Sequence, residues 1–139
     1  MLNRLKQIVG RYTSKNGYLP KGLAIGDLVA FWSTNVVEKY GVVISKGDYE
    51  RAQSAKIPFR KIVPVVYADG RYDFNFNARK VEDHQAEMQR ISAAYSNRIS
   101  ELNAESSKGE IERLRNERDA LIKFIQDYAE KTSNTNVAR

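Results

Sequence analysis

The sequence predicts an α+β protein: a small β-barrel of about five short strands, preceded by a short N-terminal helix and followed by an antiparallel α-helical hairpin. Three observations carry this expectation. Short runs rich in Val, Ile and aromatic residues fill residues 25–82, and the dipeptide Asp69-Gly70 joins two of them as a hairpin turn. From Asp83 onward the apolar spacing changes from two residues to about 3.6. At 139 residues the chain has room for one dominant core and its appendages.

Leu2, Leu5, Ile8 and Tyr12 recur at three- and four-residue steps, which predicts a short helix with one apolar stripe, ended by Asn16-Gly17. So short a helix is stabilised by packing its stripe against the neighbouring domain. Pro20 and Gly22 mark a linker, so residues 1–24 form a basic helix and arm, and residues 25–83 the barrel domain. Ile25 to Ser33 and Tyr40 to Ser45 read as two strands, joined by Thr34 to Lys39 and followed by a loop with a possible helical turn from Lys46 to Pro58. Asp-Gly favours a type I′ turn, whose register sets Tyr67 opposite Tyr72, Val65 opposite Phe74 and Val63 opposite Phe76 on one apolar face. Pro64 on the other face suggests an edge or a bulge. Arg79 to Glu82 supplies a fifth strand, enough to curl the sheet into a barrel.

Met88, Ile91, Tyr95, Ile99 and Leu102 make one helical stripe, and Ile111, Leu114, Leu121, Ile122, Ile125 and Tyr128 make another. Ser106 to Glu110 interrupts the pattern, and Ser107 with Glu110 has capping-box spacing, so residues 84–131 form a helical hairpin. A single helix kinked at Gly109 would instead dimerise as a coiled coil; the hairpin implies a monomer. Residues 132–139 are polar and read as a disordered tail.

Net charge is +6, and residues 1–83 carry all of it, with 14 basic against 8 acidic side chains. The absence of cysteine excludes disulfides and thiolate chemistry and fits a cytoplasmic location. No apolar run approaches the roughly 20 residues of a membrane span. The basic N-terminus has no acid before Asp27, but its single Ser14 and two glycines favour an arm continuous with the domain over a mitochondrial presequence.

Catalysis has no visible home. His84 is the sole histidine, and beside Glu82, Asp83 and Glu87 it reads as part of a helix's first turn rather than a metal ligand. Asp69 is explained by turn chemistry. Phosphate-binding glycine loops and dinucleotide fingerprints are lacking. The expectation is a non-enzymatic protein with no cofactor and no metal.

The segment Ile25-Gly26-Asp27-Leu28-Val29-Ala30-Phe31, followed by Tyr40-Gly41-Val42-Val43-Ile44, resembles the opening of a KOW-type or related SH3-like small barrel. Such barrels commonly begin Gly-Asp-x-Val and continue with a Gly-x-Val strand. The resemblance covers residues 25–45, extends to residues 59–82 only in strand pattern, and leaves both helical parts aside. It implies a barrel fold and a role in binding nucleic acid or the transcription and translation machinery around it. The chain departs from the pattern in lacking glycines between Trp32 and Lys39 and in the long stretch from Lys46 to Pro58, where such barrels place ligand-contacting loops. Small size, no cysteine and a self-contained basic module would also suit a phage-encoded protein that modifies host transcription.

Aromatic and basic residues cluster in the same region. Tyr18, Trp32, Tyr40, Tyr49 and Phe59 stand among basic loops, although most of them, Trp32 included, are expected to complete the core. Cations that hold phosphates beside aromatics that stack bases equip a sequence-tolerant nucleic-acid binder. The expected contacts are Arg4, Lys6, Arg11, Lys15, Lys21, Lys39, Lys46, Arg51, Lys56, Arg60 and Lys61. The expected partner is DNA before RNA, with a protein of the transcription machinery reached through the hairpin. The competing reading is a protein-interaction adaptor whose charge gives solubility and steering. A membrane-surface role would rest on one weakly charged helix.

Overall fold

A computed structural model describes residues 18–58 and 61–137. The protein is α+β: among the described residues, a five-stranded antiparallel sheet is accompanied by three helices. The strands are β1 (Leu28–Phe31), β2 (Lys39–Val43), β3 (Val63–Tyr67), β4 (Tyr72–Asn75) and β5 (Arg79–Lys80). The helices are α1 (Lys46–Gln53), α2 (His84–Ser100) and α3 (Lys108–Val137). The chain divides into two compact units. One holds the described residues up to Phe31 together with Tyr40–Lys80; the other holds Trp32–Lys39 and the chain from Val81 onward. The loop after β1 thus belongs with the helices.

In the sheet unit the strands lie in the order β4-β3-β2-β1-β5. Leu19, Val29, Phe31, Val43, Val63, Val65 and Tyr67 bury one face, with Tyr18 and Leu23 packed against them. Residues 18–24, predicted as linker, are thus part of the core. Ile62 N–H donates to the Tyr18 carbonyl at 2.8 Å, and Lys46 N–H donates to the Tyr18 hydroxyl at 2.9 Å. An apolar pair, Leu19 and Leu23, flanking the punctuation of Pro20 and Gly22 carries the segment into the fold.

Two glycines build two equivalent bulges. Gly26 has φ +96°, its N–H donates to Val43 C=O at 2.8 Å, and Val43 N–H donates to Asp27 C=O at 2.9 Å. Gly70 has φ +87°, its N–H donates to Tyr67 C=O, and Tyr67 N–H donates to Arg71 C=O. Both are G1 bulges, which demand a glycine in the left-handed region at their first position.

The second bulge corrects the expected hairpin register. Asp69 does not take positive φ, so the connection is the three-residue loop Ala68-Asp69-Gly70, a type I turn closed by the bulge, and not a type I′ turn. Val63 faces Asn75, Pro64 faces Phe74, Val65 faces Asp73 and Val66 faces Tyr72. A one-residue slip exchanges the faces of a strand. The aromatics of β4 consequently lie on the face opposite the core.

Pro64 sits in β3, an interior strand, and not at an edge. Its carbonyl accepts Ile44 N–H at 2.9 Å one residue beyond the end of β2, so its missing donor falls where the ladder stops. The predicted loop from Lys46 to Pro58 contains α1, which is capped by Ser45 Oγ accepting Asp48 N–H and ended by Ser54 at φ 53°. Tyr49 of α1 packs edge-on against Phe74 of β4 at 5.6 Å.

In the helical unit α2 and α3 are antiparallel. His84 meets Tyr128 edge-on at 5.3 Å, and Tyr95 donates to Glu117 at 3.2 Å, so contacts step in opposite directions along the two helices. Ile91, Tyr95, Ile111, Leu114 and Ile125 are buried, as their spacing predicts. Asp83 caps α2 by accepting Ala86 N–H, and α3 begins just after Ser107, as the capping-box spacing predicts. The helix continues past Thr132, which bonds back to Tyr128 C=O, and runs to Val137 where the sequence predicts a tail. Among the described residues no helix is long and apolar enough to cross a membrane.

Candidate nucleic-acid interface

Of the basic residues expected to contact nucleic acid, Arg4, Lys6, Arg11, Lys15 and Arg60 lie outside the described residues, and the expected N-terminal helix lies there too. Lys46, Arg51 and Lys56 are brought together on and just after α1. Arg51 and Lys56 are exposed and share the wall of a shallow recess with Gly47, Glu50 and Ser54. Lys21 is exposed in the turn after Leu19, and Lys61 is exposed just before β3. Lys39 is exposed at the start of β2 but is grouped with the helical unit, so it is not gathered with the others.

Charge follows the division of the chain. Among the described residues the sheet unit has eight basic against five acidic side chains, a net +3, and the helical unit has nine against twelve, a net −3. Each of the five acids in the sheet unit is engaged internally. Asp27 accepts Ala24 N–H at 2.9 Å and faces Lys80 at 3.8 Å. Asp48 pairs with Arg51, and Asp69 with Arg71 at 2.7 Å. Glu50 folds over to accept Ile57 N–H at 2.7 Å, and Asp73 accepts the Tyr67 hydroxyl at 3.0 Å. Among the described residues Lys21, Lys46 and Lys56 form no ion pair.

Electrostatics around the hairpin agree with this wiring. Burial, reinforced by Asp73, pushes the Tyr67 hydroxyl well above the ordinary tyrosine range and keeps it a neutral donor. The Arg71 backbone N–H holds the Asp69 carboxyl below the usual carboxylate range. Burial raises the Tyr18 hydroxyl, against the opposing effect of the Lys46 N–H that it accepts.

Aromatic residues that sequence reasoning assigned to the core stand at the surface. Tyr72 is 42% exposed and Phe76 48% exposed, with Phe74 between them half-buried and touching Phe76 edge-on at 6.0 Å. The missed signal is the length of the turn, since a glycine third in a loop of three suits the bulged hairpin as well as Asp-Gly suits the two-residue one. Trp32 is also misplaced by the sequence reading: it is 81% exposed, because β1 ends at Phe31 and the chain turns away. That turn is closed by Ser33, whose Oγ accepts Asn35 N–H and donates to Val37 C=O.

His84 occupies the first turn of α2 against Tyr128, and among the described residues no group of three or more metal-capable side chains gathers. In the helical unit a groove of about 500 Å³ runs between α2, α3 and residues 34–36. Its charged lining is internally paired: Arg113 joins Glu110 at 2.8 Å and also Glu117, and Arg98 joins Glu101 at 3.4 Å. Comparison with known proteins finds no matching family model, curated protein or solved structure.

Proposed function

We propose that the protein is a non-enzymatic nucleic-acid-binding protein that acts inside the cell, in a setting linked to transcription, and that its sheet unit is an SH3-like barrel of KOW type. The single observation that carries the functional part is the segregation of charge among the described residues, +3 on the sheet unit against −3 on the helical unit, with every acid of the former engaged internally. A surface so equipped attracts phosphates with little regard to sequence. The fold part is supported by the strand order, in which β1 lies between β2 and β5, and by glycine bulges at two corners of the sheet, the device that bends small sheets. It is supported as well by the Gly-Asp-Leu-Val opening at Gly26.

The test is fluorescence anisotropy of labelled DNA and RNA against the full chain at several salt concentrations. Each phosphate contact contributes about 0.7 to 0.9 to the slope of log affinity against log salt. Replacing Lys21, Lys46 and Lys56 by Glu removes cations that form no ion pair among the described residues, so the slope falls by about 2 and affinity drops for every sequence. An unchanged slope would overturn the reading.

The second reading, a protein-interaction adaptor, is favoured by Trp32, whose exposure of 81% suits an anchor for a protein partner. Trp32 is the only tryptophan, so its emission reports directly on any such partner. The two readings coexist if nucleic acid uses the sheet unit and protein the helical one.

A further inference from the structure

We infer that the ligand of the sheet unit is a single strand of nucleic acid, laid along β4 with unpaired bases stacked on Tyr72 and Phe76. The inference rests on the nucleic-acid reading above and narrows it. β4 is an edge strand with Tyr72 and Phe74 on the face away from the core, and Phe76, in the bend just past its end, meets Phe74 edge-on at 6.0 Å. Phe74 is half-buried between Tyr49 and Phe76, whereas Tyr72 and Phe76 each keep more than 40% of their surface exposed. Tyr72 and Phe76 are four residues apart, about 13 Å along an extended chain and roughly four times the 3.4 Å rise of stacked bases. That spacing suits a strand whose bases are splayed, one to a ring. In a duplex the faces of the bases are already buried by stacking, so duplex offers β4 only phosphates.

The edge itself argues against the obvious rival occupant, a peptide added as a further strand. Alternation puts the N–H groups of Tyr72 and Phe74 on the outer side of β4; Phe74 N–H donates to Asp73 Oδ1, and Phe76 N–H, just past the strand, donates to Asn75 Oδ1, each at 2.8 Å. Peptide augmentation needs those donors. Base stacking needs only the rings, and the net +3 of the unit's described residues, with each of its acids engaged internally, complements a phosphate backbone.

The experiment measures binding of a 12-nucleotide thymidine strand, a 12-base-pair duplex and an abasic strand of the same length to the full-length protein and to the Y72A/F76A variant. Both side chains are over 40% exposed, so the variant keeps its fold, and far-ultraviolet circular dichroism checks this. The expected result is tighter binding of the thymidine strand than of duplex. The variant should lose about fivefold or more per ring on that strand, with its salt slope retained. The abasic strand reports on the unaltered protein and should bind it about as weakly as the thymidine strand binds the variant. Equal affinity for strand and duplex, or for thymidine and abasic strands, would overturn the inference and leave the nucleic-acid reading standing. No binding of any of the three would overturn both.

Discussion

Gly41 offers the sharpest test of the packing on which the interface depends. A Cβ added there would meet Val66 O at 3.0 Å, Tyr67 Cδ1 at 3.2 Å and Val65 Cβ at 3.3 Å. None of the three gives way easily. The oxygen is backbone inside the sheet, and the Tyr67 ring is held by its bond to Asp73 and by an edge contact with Phe31 at 6.2 Å. Overpacking of this kind costs about 1 to 3 kcal/mol, and the reduced freedom of an unfolded chain with Ala offsets about 0.4 to 1 kcal/mol. Gly41→Ala should therefore destabilise by about 1 to 2 kcal/mol and lower Tm by roughly 3 to 8 °C for a chain of this size. Urea unfolding followed by circular dichroism should show a lower midpoint with an unchanged slope. Gly109→Ala is the opposed control: Gly109 lies in the first turn of α3 with nothing within 4 Å of the added carbon, so it should be neutral or stabilise by about 0.5 kcal/mol. A Gly41→Ala protein as stable as the unaltered one would refute the close approach of β2 to β3.

Three other outcomes rest on single contacts. Ser45→Ala removes the acceptor for Asp48 N–H at the start of α1 and should cost about 1 kcal/mol, read as a lower urea midpoint. The Tyr95 hydroxyl is pushed up to about 12, first by burial and then by Glu117. A raised folded value means that its stabilising effect is complete below pH 10 and is lost as pH rises from 10 towards 12, so Tyr95→Phe should flatten the alkaline fall in Tm over that window. The antiparallel pairing of α2 and α3 within one chain predicts a monomer by sedimentation; a stable dimer would contradict it.

What was legible in the sequence was local. The stripes around Ile91, Tyr95, Leu114 and Ile125 gave the two long helices, because a 3.6-residue period sustained over many residues has no competing explanation. Gly26 and Gly41 were readable as special positions, one needing positive φ and the other needing room. The failures arose where the answer is set by tertiary pairing. Trp32 ends an apolar run that is buried on both faces from Leu28 to Phe31, so alternation could not say where burial stops. Leu19 and Leu23 were hidden by the Pro and Gly between them. The basic residues were identifiable by type, but that Lys46 and Arg51 lie on one small helix with Lys56 just after it, while Lys39 falls in the other unit, depends on a helix in what reads as a loop.

The exposure of the β4 aromatics depends on one residue at the bulge, and this is open to a direct challenge. Deleting Arg71 keeps the bulged loop Ala68-Asp69-Gly70 but brings Tyr72 directly after Gly70, so Tyr67 comes to face Tyr72 and Val65 to face Phe74. That register turns Tyr72, Phe74 and Phe76 towards a face already filled by Val63, Val65, Tyr67 and Phe31, and it pulls Asp73 away from the Tyr67 hydroxyl. Three rings cannot enter a full core, so the deletion should destabilise by more than the roughly 1 to 3 kcal/mol typical of a single overpacked site, and what remains folded should lose the preference for single strands. Restoring any residue at position 71 should recover both properties, because the register depends on the number of residues there and positive φ is needed only at Gly70. A deletion variant with unchanged Tm and unchanged strand preference would mean that the bulge does not set the face of β4, and the case for bases on Tyr72 and Phe76 would fall with it.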